Sequence, residues 1–255
     1  MKLKELLDNE VNSRNKKEEL CVKNRPDPLI VAKRYNDEYI SLICALFSYG
    51  KASSIVKFLD SFDFDLLTSS EAEIKDKLQN HYYRFQTSQD VIALFIALKR
   101  LKEKNSLNEL FLEGYNPNKN VLEGIEYVIK SICDAYEHTS QGYTFLIGTA
   151  PKRDKNNQIK QIGNAPYKRW NMYLRWMVRK DELDMGLWHG VNKADLILPL
   201  DTHTFKVSTN LGLLSRKTYD LKSAMLITEK LKEFDCFDPI KYDFALYRLG
   251  QEKLV

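Results

Sequence analysis

The sequence has 255 residues, of which 44% are hydrophobic and 29% charged, and it carries a formal net charge of +4 at pH 7. Its length allows one sizeable core, and its scarce glycine and proline are typical of helical globular proteins rather than of fibrous or disordered chains. No apolar run has membrane-spanning length, no signal peptide is expected, and the four scattered cysteines have no metal-ligand spacing, so we expect a cytoplasmic protein with free thiols.

The N-terminal half is expected to be helical because polar caps and apolar runs alternate along it. A helix is predicted over 28–35, with proline in its first turn. A second is predicted over 37–49, with Asn36 as its cap and Gly50 as its C-terminal stop. Each further helix begins at a polar cap: Ser53 or Ser54, Ser70, Thr87, Ser106 and Asn120.

The C-terminal half is also expected to be helical, and residues 148–166 are its only long irregular stretch. Helices are predicted over 168–177, 202–211, 220–234 and 238–250, the last with a cap at Asp238-Pro239 and a stop at Gly250. No segment alternates apolar and polar residues as a strand does. The sequence therefore predicts an all-α fold.

Two residues in this half are candidates for chemistry, Lys168 near the start of a helix and Asp201 at a helix cap. The Asp201 carboxylate would accept hydrogen bonds from free helix amides near the positive helix end, so we expect it to stay charged even when semi-buried. Taken alone, a lysine such as Lys168 is more often one with a buried aliphatic stem, and an aspartate such as Asp201 is more often an ordinary helix cap.

A cluster of basic residues surrounds Lys168 in the sequence. Between 151 and 180 there is one acid, Asp154, and the basic residues are Lys152, Arg153, Lys155, Lys160, Lys168, Arg169, Arg175, Arg179 and Lys180. Such a cluster is either a phosphate-binding surface or a solvated loop.

The order of these features resembles the helix-hairpin-helix DNA glycosylase superfamily, which includes endonuclease III and the 8-oxoguanine DNA glycosylases. Residues 198–203 follow its pattern aliphatic-Pro-aliphatic-Asp-Thr/Val-His, with Lys168 upstream and residues 243–247 downstream. The resemblance covers about residues 28 to 250. It is nearest to the archaeal 8-oxoguanine glycosylases and their bacterial relatives of unassigned function, whose lysine and aspartate are similarly far apart. The usual Gly-x-Gly turn of the hairpin is replaced here by residues 163–167.

The resemblance implies two helical subdomains, with a helix-hairpin-helix element and an active-site cleft between them. We expect residues 37–195 to form one subdomain and residues 1–36 with 196–255 to form the other. In this family Lys168 would be the nucleophile and Asp201 its carboxylate partner. On the last helix, Asp243 would bond the extruded base and Tyr247 would stack on it. The pocket is predicted to include three further residues: Gly50, Arg175 and Trp176. The predicted contacts to duplex DNA are Lys51, Lys152, Arg153, Lys160 and Arg169.

The implied function is base excision of an oxidised purine, 8-oxoguanine, from double-stranded DNA, with associated AP lyase activity. Lys168, desolvated and near other cations, would offer a neutral amine that attacks the sugar and forms a Schiff base. We expect a monomer in the cytoplasm of a bacterium or archaeon. No metal or cofactor is expected, since the histidines are scattered and no phosphate-binding glycine loop occurs. Two alternatives stay open: a glycosylase for another lesion such as alkylated purines, and a non-catalytic helical DNA-binding protein.

Overall fold

The computed structural model describes residues 2–22 and 25–254. Within these ranges the regular structure is helical, and extended pairing is limited to isolated bridges. The predicted all-α fold is confirmed. The described residues form thirteen α-helices: α1 (Leu3–Arg14), α2 (Leu29–Tyr35), α3 (Glu38–Leu46), α4 (Ala52–Leu59), α5 (Glu71–Leu78), α6 (Ser88–Lys102), α7 (Leu107–Tyr115), α8 (Val121–Ala135), α9 (Gln141–Ile147), α10 (Lys168–Val178), α11 (Thr202–Asn210), α12 (Leu221–Lys232) and α13 (Asp243–Glu252).

The chain folds as two compact units: a central unit of residues 24–150 and a terminal unit that joins residues 1–23 to residues 151–255. In the central unit α6 is the core helix, and residues 91–98 of it are all buried. It packs against α5 and α8, and α8 packs against α7. Gly124 allows the last contact, because a Cβ there would lie 2.5 Å from the ring of Phe111.

The terminal unit brings the two ends of the chain together. Helix α1 packs on α13, and α13 packs on α11. The hydroxyl of Tyr242 donates to Asp8 over 2.8 Å, and the guanidinium of Arg14 forms two hydrogen bonds with Glu252. These partly buried polar links add geometric specificity to the apolar packing between the N-terminal and C-terminal helices.

The boundaries of the two units differ from the expected ones. Residues 37–195 were expected to form one subdomain, whereas the central unit ends at residue 150. Residues 151–195 belong with the C-terminal helices. The reason is tertiary: Arg175 of α10 is ion-paired with Asp243 of α13. The segment after α10 stays with that helix because the Trp176 carbonyl accepts hydrogen bonds from the amides of Met185 and Gly186. Helix α10 and the segment after it are therefore tied to the end of the chain.

Several helix ends also differ from the sequence-based expectation. Helix α3 begins after Asp37, whose carboxylate accepts from two amides, while Asn36 has the left-handed conformation that ends α2. The helix ends at Leu46, before the expected stop at Gly50. Residues 179–201 are a second long irregular stretch, interrupted by the short 3₁₀ helix Lys193–Asp195.

Candidate active site

Lys168 is the first residue of α10, as predicted. The residue before it, Tyr167, has φ 50° and ψ 36°, a left-handed conformation that is uncommon for a bulky side chain. Asn171 stabilises this turn, because its amide N–H donates to the Tyr167 carbonyl and its side chain donates to the Pro166 carbonyl over 3.0 Å. The chain therefore enters α10 through a strained turn next to the lysine, and such strain is concentrated at functional sites.

Asp201 is the N-cap of α11, as predicted. Its Oδ1 accepts hydrogen bonds from the amides of His203 and Thr204, each at 2.8 Å, and from the Thr204 hydroxyl at 3.0 Å. The Thr204 hydroxyl also accepts from the Asp201 amide, which completes a capping box. These bonds fix the carboxylate in one orientation and leave Oδ2 for another partner.

That partner is Lys168, whose Nζ lies 3.5 Å from Asp201 Oδ2. The carboxylate is largely buried, with 12% of its side chain exposed, whereas the lysine side chain is 32% exposed. An amine is therefore held between a fixed carboxylate and solvent. This arrangement allows the amine to reach an incoming electrophile while an anion stays beside it.

Tyr247 of α13 lies at the same place. The Lys168 Nζ is 6.0 Å from the centroid of the Tyr247 ring, within cation–π range. The ring of His203 meets the Tyr247 ring edge to face, with centroids 6.0 Å apart, and the Gln251 side chain donates to the Tyr247 hydroxyl. The half-buried phenol ring thus stands beside the lysine–aspartate pair, on the last helix, where it was predicted.

Asp243 and Arg175 are more deeply buried than Lys168 and Asp201. The guanidinium of Arg175 donates to Asp243 Oδ2 over 2.5 Å and to Asp184 Oδ1 over 3.1 Å. Burial raises the pKa of Asp243 to about 6, while the Arg175 cation opposes that rise and Asp201 and Asp184 add to it. Arg175 is therefore paired with two carboxylates, Asp184 and Asp243. The sequence could not indicate this, because Asp184 lies in a segment with no recognisable motif.

Trp176 is fully buried, and its indole N–H has no hydrogen-bond partner among the described residues. It lies in the core of the terminal unit, so its ring offers no exposed stacking face. Every residue of α10 from 170 to 177 is buried, so this part of the helix lies inside the unit on all its faces.

The basic segment before α10 is ordered by its own polar side chains. Arg153 and Ile159 form a bridge, and Asp154 accepts from two amides in the turn between them. The buried Asn164 side chain joins both arms: it accepts from the Lys152 amide and donates to the carbonyls of Lys152 and Lys160. We call residues 152–162 the basic hairpin. Its lysines at 152, 155 and 160 are exposed, and Arg169 is half-buried at the start of α10.

Gly50 and Lys51, predicted as pocket and duplex contacts, lie in the central unit. Gly50 has φ +105°, which strains any other residue, and a Cβ there would meet the Arg84 guanidinium at 2.4 Å. The exposed Lys51 precedes α4. Sequence reasoning missed an exposed aromatic group beside them, in which the rings of Tyr49, Phe85 and Phe145 contact one another. The only sequence signal was the aromatic run at 82–85.

The described residues contain no group of three or more histidine, cysteine, aspartate or glutamate side chains that could hold a metal ion. Of the helices in residues 2–22 and 25–254, none combines the length and the apolar character needed to cross a bilayer.

Residues 27–252 match the sequence profile of DUF2400, a family described as proteins of unknown function. The chain belongs to the DUF2400 family. The matched range includes Lys168, Asp201, Asp243 and Tyr247, so the whole lysine–aspartate site lies within the part of the chain that defines DUF2400 membership. No curated protein and no solved structure matches the chain.

Proposed function

We propose that this protein is a DNA glycosylase with AP lyase activity that removes an oxidised purine, 8-oxoguanine, from duplex DNA. The observation that carries the proposal is the Lys168 amine, 3.5 Å from the capped carboxylate of Asp201 and beside the Tyr247 ring. This is the set of groups expected from the resemblance to helix-hairpin-helix glycosylases. The choice of 8-oxoguanine rests on the archaeal branch of that resemblance.

The proposed reaction takes place at C1′ of the deoxyribose that carries the damaged base. A nucleotide leaves the duplex stack, because enzymes cannot reach C1′ and the base inside a helix. The Lys168 amine attacks C1′, and the C1′–N9 bond breaks with its electron pair leaving on the base. Asp201 Oδ2 stabilises the positive charge that develops on the sugar and accepts a proton from the amine.

The covalent product explains the lyase activity. Ring opening of the sugar gives a Schiff base between Lys168 Nζ and C1′, and its positive nitrogen acidifies the hydrogens on C2′. Loss of one of these hydrogens expels the 3′ phosphate by β-elimination and cuts the strand. A glycosylase that used water in place of the amine would stop at the abasic site.

Borohydride trapping tests the proposal directly. Incubation with duplex DNA that contains 8-oxoguanine, in the presence of borohydride, should yield a covalent protein–DNA product that undamaged DNA does not give. Trapping only with alkylated purines would support the alternative lesion class. Tight DNA binding without base release or trapping on any lesion would support a non-catalytic DNA-binding protein.

Replacement of Tyr247 by alanine should weaken selection of the damaged base. A base–aromatic contact contributes about 1–3 kcal/mol, so Tyr247→Ala should reduce the preference for 8-oxoguanine over guanine by about fivefold to 150-fold. Tyr247→Phe keeps the ring and should keep the preference. Phe237, an exposed aromatic of the same unit, provides the control: Phe237→Ala should leave the preference unchanged. Equal preference in Tyr247→Ala and wild type would exclude a stacking role.

The basic hairpin should determine much of the salt dependence of DNA binding. Each phosphate contact adds about 0.9 to the slope of log K against log salt concentration. Alanine at Lys152, Lys155 and Lys160 should therefore flatten the slope by about 2.7 if all three bind phosphates. The test is fluorescence anisotropy of labelled undamaged duplex between low and moderate salt.

A matched triple variant controls for net charge alone. It replaces three exposed lysines of the central unit: Lys75, Lys77 and Lys104. Its slope should stay within about one unit of wild type. Equal slopes in the two triple variants would show that the basic hairpin does not contact the phosphates.

A further inference from the structure

A chain of buried charges runs behind the candidate active site in the terminal unit. Arg175 lies between Asp184 and Asp243, and none of the three side chains is more than 6% exposed. Asp184 also forms an ion pair with Arg179, which in turn pairs with Asp181 and Asp238. Charged groups this deeply buried are stable only when each has a well-placed partner. The network therefore allows little freedom to the Arg175 guanidinium.

The Arg175 guanidinium in turn fixes one carboxylate oxygen of Asp243. Arg175 donates to Oδ2, and no group in residues 2–22 or 25–254 donates a hydrogen bond to Oδ1. A planar guanidinium holds a carboxylate in a defined plane, which a lysine ammonium cannot do. Asp243 consequently has one oxygen fixed by the protein and one available acceptor, one helical turn before Tyr247.

The charge of Asp243 depends on the same groups. Burial raises its pKa to about 6, and Arg175 from α10 opposes the rise. Two further carboxylates face it and favour its protonation: Asp184 from the segment after α10, and Asp201 at the start of α11, which is itself paired with Lys168. Asp243 is therefore anionic, and solely an acceptor, above about pH 6, and it becomes a neutral donor below that value.

We propose that Arg175, held by Asp184, is a positioning residue that keeps the Asp243 carboxylate oriented and ionised, so that Oδ1 accepts a hydrogen bond from an N–H group of the extruded base. This inference rests on the proposed glycosylase function and identifies the bases the site prefers as those that present an N–H donor to Asp243. Arg175 touches neither base nor sugar, and it acts through Asp243 alone.

Two substitutions should move the titration of Asp243 in opposite directions. Arg175→Gln removes the cation, so the Asp243 midpoint should rise by about one pH unit or more. Asp184→Asn keeps the shape but removes the electrostatic effect by which Asp184 raises the Asp243 pKa, so the midpoint should fall. Arg175→Lys keeps the charge and should leave the midpoint near wild type, while loss of the planar contact should slow base release by about tenfold to a hundredfold.

The measurement has two parts. Carboxyl NMR shifts of ¹³C-labelled aspartate, with Asp243→Asn to assign the signal, give the midpoint without any DNA. Single-turnover base release against pH then shows whether catalysis follows it. Since the acceptor form exists above the midpoint, activity should fall as pH drops through about 6 in wild type, at higher pH in Arg175→Gln and at lower pH in Asp184→Asn.

The outcomes separate the two proposals. A wild type that releases base, with an Asp243 midpoint that neither Arg175→Gln nor Asp184→Asn moves, would overturn the role of Arg175 and leave the glycosylase function standing. A wild type whose Asp243 titrates as expected but that releases no base from lesion DNA would overturn the proposed function and the acceptor role with it. If Arg175→Gln does not fold, the downward shift in Asp184→Asn and the slowed release in Arg175→Lys decide the question.

Discussion

Lys168→Gln should abolish base release and covalent trapping while the protein continues to bind duplex DNA. Glutamine has no nucleophilic nitrogen, so no Schiff base can form, and base release should fall by about three orders of magnitude or more. One charge contributes little to the total affinity for a polyanion, so binding should weaken only a few fold. Single-turnover assays with lesion DNA and anisotropy with undamaged DNA measure the two effects separately.

A nearby lysine provides the matched control. Lys206 is exposed on α11, in the same unit, and Lys206→Gln removes the same charge without touching the Asp201 pair. It should bind, release base and trap like wild type. A Lys168→Gln protein that still nicks lesion DNA at the wild-type rate would rule out Lys168 as the nucleophile, and a base-releasing variant that no longer traps would indicate that water can replace the amine.

The parts of the fold that were predicted correctly depend on signals within a few residues. The caps at Thr87, Ser106, Asn120 and Asp201 each have a side-chain oxygen and a following apolar run, and each begins a helix in the structure. A capping hydrogen bond spans only two or three residues, so the sequence contains all of its partners. The positions of the candidate nucleophile and its carboxylate were predictable for the same reason.

Helix ends that depend on tertiary packing were predicted wrongly. Gly250 was expected to stop the last helix, yet α13 continues to Glu252. Gly250 serves another purpose: a Cβ there would lie 2.8 Å from the Cβ of His203, so glycine permits α13 to approach α11 closely. A glycine at a helix crossing and a glycine at a helix stop look the same in sequence.

The buried ion pairs next to the candidate active site could not be predicted from the sequence either. Arg175 was predicted to line the pocket, and it lies on the same helix as Lys168, α10. Its actual partners, Asp184 and Asp243, come from two other segments, and only the fold brings the three charges together. Burial then raises the pKa of Asp243, and the neighbouring residues in the sequence do not show whether a single carboxyl group will be buried.

Asp201→Asn should reduce base release by about a hundredfold to a thousandfold with little change in stability. Asparagine caps a helix about as well as aspartate and retains an oxygen for the amides of His203 and Thr204, so the free energy of unfolding should stay within about 1 kcal/mol of wild type. The negative charge that faces the developing sugar cation, and that accepts the proton of Lys168, is lost.

The same substitution at a second cap isolates the catalytic effect. Asp220 caps α12 in the same unit, accepts from the Ser223 amide and pairs with Arg216. Asp220→Asn should therefore change stability by a similar amount and leave base release unchanged. Thermal unfolding and single-turnover kinetics of both variants give the comparison. If Asp201→Asn releases base as fast as Asp220→Asn, the carboxylate beside Lys168 serves only to begin a helix, and the nucleophile must lose its proton to another group.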